Sequence, residues 1–208
     1  MTSRMLVAGV GNIFLGDDGF GVEVARRLAT EDLPDWVRVA DYGISGMHLA
    51  YDLANGYDTT ILIDATSRGD DPGTIYVIEL DHSQLPAAAD SPPGSQLFDA
   101  HGMQPDVVFG VLDMLGADAG KVLLVGCEPA SVEYGIGLSP VVTAAVGEAV
   151  RVVKGLIAAA GSGEQPLVGD DQRPVSSTQQ PVSSTQQPVS STQQPVSDDQ
   201  SPGSDGSR

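Results

Sequence analysis

Asp17 and Asp18 stand side by side in the run GVGNIFLGDDGFG (9–21), directly after an apolar stretch. Glycines in such a loop usually let the backbone approach a phosphate. Here acids occupy places where a phosphate site wants amide donors or a lysine, so the loop points to a cation rather than a nucleotide. Asp41, in DYGISG, and Asp64, in LIDATS, each close another apolar run, as do Cys127 and Glu128 in VGCEP. His101 sits in a polar loop, DAHGM. Two carboxylates and an imidazole from separate loops suit a borderline divalent ion such as zinc or nickel. The same groups could serve as general acid and base.

These residues need a frame that gathers them. Met5–Val10 reads as a buried strand and Gly19–Ala29 as a helix with Val22, Val24, Ala25 and Leu28 on its apolar side. Val37–Ala40 reads as a short strand and Met47–Ala54 as a helix. Thr60–Ile63 is a continuous apolar strand, and DDPG (70–73) turns the chain into a strand over Thr74–Leu80. A helix is expected over Pro105–Leu115 and a strand over Val122–Val125. Ser139 caps a long final helix with Pro140 at its first position. Continuous apolar strands between amphipathic helices predict an α/β three-layer sandwich, its mostly parallel, twisted sheet covered by helices on both faces. The strand Thr74–Leu80 follows a short turn and is expected to run antiparallel beside its predecessor. In such folds the working residues lie past the carboxyl ends of the parallel strands, which is where the acids above fall.

Each candidate also has a structural reading. One of Asp17 and Asp18 is expected to cap the first helix, Asp17 or the loop backbone taking that role and leaving the other acid free. Asp64 could close an Asx turn onto Thr66 or Ser67. His48 and His82 are expected at the surface. Cys127 reads as a buried strand-end thiol rather than a nucleophile. A dinucleotide site is disfavoured, because Phe14 stands where the third glycine of GxGxxG would fall.

The chain of 208 residues carries a formal charge of −18. That excludes a nucleic-acid partner, since nothing here neutralises a phosphate backbone, and equally an anionic membrane surface. No apolar run is long enough to span a bilayer. A single cysteine excludes an internal disulfide framework, and a cytoplasmic location is expected, since Asp17 and Asp18 interrupt what could imitate a signal peptide. The composition changes near Gly161. Residues 1–160 are expected to form the α/β domain and residues 161–208 a disordered, low-complexity tail. In that tail PVSSTQQ starts at Pro174 and repeats from Pro181 and Pro188, with too little apolar surface to offset the entropy of ordering.

In this order the motifs resemble those of the maturation endopeptidases of [NiFe] hydrogenases. The opening signature G-x-G-N with an acidic pair is met by Gly9, Gly11, Asn12, Asp17 and Asp18, and D-x-G-x-x-G by Asp41, Gly43 and Gly46. A strand ending in D-A is met by Asp64 and Ala65, with PGT at Pro72–Thr74, and the loop histidine by His101. VGCEP and GLSP before the last helix complete the likeness, which covers about Met5 to Val153. The resemblance implies an endopeptidase that removes a short C-terminal peptide from the nickel-loaded precursor of a [NiFe] hydrogenase large subunit. It implies that Asp18, Asp64 and His101 contact the metal and carry catalysis, the nickel arriving on the precursor, which is the implied partner. The alternative is a non-proteolytic nickel-binding accessory protein of the same maturation. Three features depart from the family pattern: Asp18 where Glu is frequent, Ile44 where some members carry a small hydroxyl residue, and the repeat tail.

Overall fold

The computed structural model describes residues 4–80, 108, 111–112 and 114–162. His82, His101 and the PVSSTQQ repeats lie outside the described residues.

Strands β1 (Met5–Val10), β2 (Val37–Gly43), β3 (Thr59–Ala65), β4 (Ile75–Leu80) and β5 (Lys121–Cys127) form one sheet in the order β2-β1-β3-β5-β4. The pairs β1–β2, β1–β3 and β3–β5 are parallel. β4 is antiparallel, but it pairs with β5 and not with β3. The expectation that it lies beside its predecessor therefore fails: β5 inserts between them, and β4 becomes an edge. Seven residues of β5 match β3 in parallel register, from Thr59 opposite Lys121 to Ala65 opposite Cys127. A central β5 is buried from Val122 to Cys127, on both faces, while β4 is buried only at Ile75 and Tyr76 and opens to solvent toward Leu80.

The two-residue period of the strands divides the core. Met5, Val7, Ile61, Ile63, Leu123 and Val125 pack with α1 (Phe20–Leu28) and with the last described helix, α3 (Pro140–Ser162). Leu6, Ala8, Leu62, Val122 and Leu124 point the other way. They meet Leu49, Ala50 and Leu53 of α2 (Gly46–Leu53) and the helical residues Val108 and Leu112. Both faces of the sheet are thus covered, as the three-layer expectation required. α3 starts as the sequence indicates, with Pro140 first and the Ser139 hydroxyl accepting the Val142 amide at 3.4 Å.

Two glycines draw the first helix onto the sheet. A Cβ on Gly21 would fall on the carbonyl oxygens of Val10 and Ile63, at the ends of β1 and β3. Gly11 has φ 126°, and a Cβ there would strike the Asp18 carbonyl. The glycines thereby hold the acidic loop close over the gap between β1 and β3. Because backbone cannot yield as a side chain does, Gly21→Ala is expected to destabilise the fold by roughly 3 kcal/mol or more; urea unfolding measures it. Among the described residues no helix is long and apolar enough to cross a membrane.

Candidate active site

The chain leaves β1 toward β2 on one side, and the neighbour on β1's other side is β3. The crevice beyond the carboxyl ends of β1 and β3 is therefore a switch point of the sheet, where open α/β folds place their ligands. Asp18 approaches it from the loop after β1, in a 3-10 turn spanning Gly16–Gly19, and Asp64 from the next-to-last position of β3.

The two adjacent acids separate cleanly in role. Asp17 is buried and accepts three backbone amides, from Ala130 at 2.9 Å, Ser131 at 3.1 Å and Ser139 at 2.6 Å. Its own amide donates to the Ser131 carbonyl at 3.1 Å, and Gly16 donates to Gly135 at 3.0 Å. Neither Asp17 nor Asp18 caps α1, whose N-terminus carries no side-chain cap bond. The 3-10 turn intervenes and aims Asp17 at the segment from Ala130 to Ser139 instead. Nor is Asp18 left free: its carboxylate accepts the Asn12 amide at 2.6 Å, which fixes it above the switch point.

Asp64 makes no Asx turn. The Thr66 amide donates to the Cys127 carbonyl at 2.9 Å and the Ser67 hydroxyl to Glu128 at 3.1 Å, so both intended partners are engaged elsewhere. Burial and then the negative charge of Asp18 push the Asp64 carboxyl well above the usual carboxylate range, against a smaller opposing effect of the Ala65 amide. Asp18 and Asp64 are therefore close enough for the charge of Asp18 to make Asp64 hold a proton more readily. A cation between them would relieve that repulsion, and two carboxylate oxygens are donors that a divalent metal accepts. His101 lies outside the described residues; among those that are described, no three His, Cys, Asp or Glu side chains form a metal site by themselves.

The other candidates do structural work. Glu128 is buried and accepts the Arg68 amide at 2.6 Å, the Gly69 amide at 3.3 Å and the Ser67 hydroxyl, pinning the connection from β3 to β4. Tyr76 supports the same connection through its hydroxyl, which donates to the Thr66 carbonyl. Asp41 lies one strand away on β2, where it accepts the Gly43 amide at 2.9 Å and pairs with Arg26 at 3.3 Å. His48 is exposed, as expected. Cys127 is fully buried, and burial, with Asp17 and Glu128 nearby, pushes its thiol up to about 12. Such a thiol holds almost no thiolate at neutral pH. Cys127→Ala is expected to keep activity within about threefold of the parent, and iodoacetamide to leave the native protein active.

A cavity of about 160 Å3 opens at Asp18, lined also by Ala65, Ser67 and the stretch Pro129–Val132. That stretch was not among the residues singled out from sequence. The available signal was an aperiodic, Gly- and Pro-containing run between a strand and a helix, the kind of long connection that usually carries function.

The profile of the hydrogenase maturation protease family matches residues 22–155. The chain is 36% identical over 152 residues to the hydrogenase 2 maturation protease of Escherichia coli K12, covering 72% of this chain and 88% of that one. The chain belongs to the hydrogenase maturation protease family. It is also 33% identical over 157 residues to the hydrogenase expression/formation protein HupD of Rhodobacter capsulatus, covering 73% of this chain and 71% of that one. Among solved structures, the hydrogenase maturating endopeptidase HybD of Escherichia coli superimposes with a TM-score of 0.61 at 35% identity, over 77% of this chain and 94% of that one. The hydrogenase 2 maturation peptidase of a Thaumarchaeota archaeon gives 0.55 at 32% identity, over 78% and 100%. The protease is thus an enzyme of peptide-bond hydrolysis.

Proposed function

We propose that this protease removes a short C-terminal peptide from the nickel-loaded precursor of a [NiFe] hydrogenase large subunit, using Asp18, Asp64 and His101. The observation that supports this reading is the juxtaposition of two carboxylates, Asp18 and Asp64, at the end of the sheet, with the charge of Asp18 raising the proton affinity of Asp64. Asp18, Asp64 and His101 are the residues that would hold nickel arriving on the precursor; the ion supplies positive charge beside the scissile carbonyl.

The residues divide the remaining work. Asp18, fixed by the Asn12 amide, orients the incoming chain. Asp64, whose carboxyl has a raised proton affinity, is suited to take up a proton. It accepts a proton from the attacking water and returns it to the leaving amide nitrogen, so that peptide hydrolysis balances. Glu128 and Tyr76 keep the segment after Asp64 in place.

Incubation of the purified protein with nickel-loaded precursor is expected to produce the faster-migrating, processed form. Nickel-free precursor is expected to remain unprocessed. Absence of processing with the loaded precursor would overturn the reading.

A further inference from the structure

α2 is apolar on two faces. Leu49, Ala50 and Leu53 are buried against the sheet, as an amphipathic helix requires. Met47 and Tyr51, spaced i, i+4 on α2, are 48% and 58% exposed, and Ile44, in the turn just before the helix, is 56% exposed. Phe14, from the acidic loop, is 58% exposed and joins Ile44 in lining a groove of about 380 Å3. The groove's opposite wall carries Arg26 and Asp41, paired at 3.3 Å. It also runs past Asn12, whose amide grips Asp18. An apolar stripe therefore leads along α2 directly to the candidate catalytic loop.

Neither solubility nor folding accounts for this stripe. The segment Ile44–Tyr51, ISGMHLAY, holds no acid in a chain with 28 of them. An apolar surface kept clear of like charge and continuous with a site is the mark of a protein contact. A second copy of this chain is a poor occupant, since each copy carries a net charge of −18 and would repel the other. The partner that must come to Asp18 in every turnover is the substrate protein.

We infer that the precursor docks on Met47 and Tyr51 of α2 and on Ile44 just before it, and seats one apolar side chain in the groove lined by Phe14 and Ile44. This inference rests on the protease reading and deepens it by assigning the surface that selects the substrate. The groove is large enough for a leucine- or phenylalanine-sized side chain, and its Arg26–Asp41 wall leaves room for a polar neighbour.

The test uses the full chain and nickel-loaded precursor, with Met47→Glu and Tyr51→Glu combined. Both residues are exposed, so the fold should tolerate the change. Processing is expected to lose at least about tenfold in kcat/KM, carried by KM, as at an interface hot spot. In the Asp64→Asn background, which traps the complex, affinity for the precursor should fall by a similar factor. Unchanged kcat/KM and unchanged affinity would overturn the inference. So would a fall in Tm of more than about 5 °C, which would mean that this chain itself covers the face. A wild-type dimer dissociated by the two substitutions would also overturn it, by assigning the face to a second copy. Failure of the protease reading looks different: the wild-type protein would then process nothing.

Discussion

Asp64→Asn is expected to abolish processing and at the same time to raise stability at pH 7. The substitution removes the group proposed to move the proton, so the rate should fall by at least about a thousandfold, well inside the range for an essential acid–base residue. The stability gain has a separate origin. In the folded state Asp64 is penalised as an anion by burial and by Asp18, so it holds its proton to a higher pH than in the unfolded chain, whose value is near 3.8. A raised folded value means that the folded state binds more protons between the two values. The wild-type protein therefore loses stability as pH rises through that window. Asparagine keeps the shape and carries no charge. The variant should therefore be the more stable of the two at pH 7. Near pH 2, well below the unfolded value of 3.8, both states are protonated and the gain should vanish. Differential scanning calorimetry at the two pH values, beside a processing assay, reads both effects.

Asp17→Ala is expected to give the opposite pairing, with activity and stability lost together. Three amides that now meet the Asp17 carboxylate, those of Ala130, Ser131 and Ser139, would be left without it. A hydrogen bond to a charged group contributes about 1.5–3 kcal/mol, but Ala130 and Ser131 are exposed enough for water to replace part of it, so a loss of roughly 2–4 kcal/mol is expected. The same bonds hold Pro129–Val132 at the rim of the Asp18 cavity. Loosening them should lower processing even at temperatures where the variant remains folded. Asp17→Asn retains one acceptor oxygen and should recover part of the stability. The contrast between neighbours is the informative part. Asp17 acts through the loop it fastens, whereas Asp64 is the residue proposed to act at the bond to be cut. If Asp17→Ala unfolded in urea at the wild-type midpoint, the fastening role would be wrong.

Most of the frame was legible because it rests on periodicity. The buried strands read as apolar runs, α1 and α3 as helical patterns, and Ser139–Pro140 as a helix start. The ends of elements were less legible. β2 continues to Gly43 and β3 to Ala65, past the polar residues Asp41 and Asp64, because parallel pairing with β1 and β5 carries the backbone further than hydrophobicity indicates. The place of β4 was misread for a related reason. A short turn suggests a hairpin, but β5, arriving from more distant sequence, binds β3 along its whole length and displaces it.

The site was legible as a set of residue types, and less so as a set of roles. Asp17 and Asp18 are identical in type, so sequence alone could offer only a helix cap for one of them. Their separation depends on the 3-10 turn and on the segment from Ala130 to Ser139, which is far away in the chain. Asp41 belongs to the same sheet edge but lies on the outer strand, committed to Gly43 and Arg26. The stripe Ile44–Met47–Tyr51 was hidden in plain composition. It reads as ordinary helix until the buried face is known to be a different one.

The central claim is that Asp18 and Asp64 together form the working centre of the protease. Single-turnover processing of nickel-loaded precursor by Asp18→Asn and Asp64→Asn, each checked for folding by calorimetry, tests it most directly. Both folded variants are predicted to leave the precursor at its unprocessed mobility while the wild-type protein converts it. Processing at the wild-type rate by either variant would contradict the account.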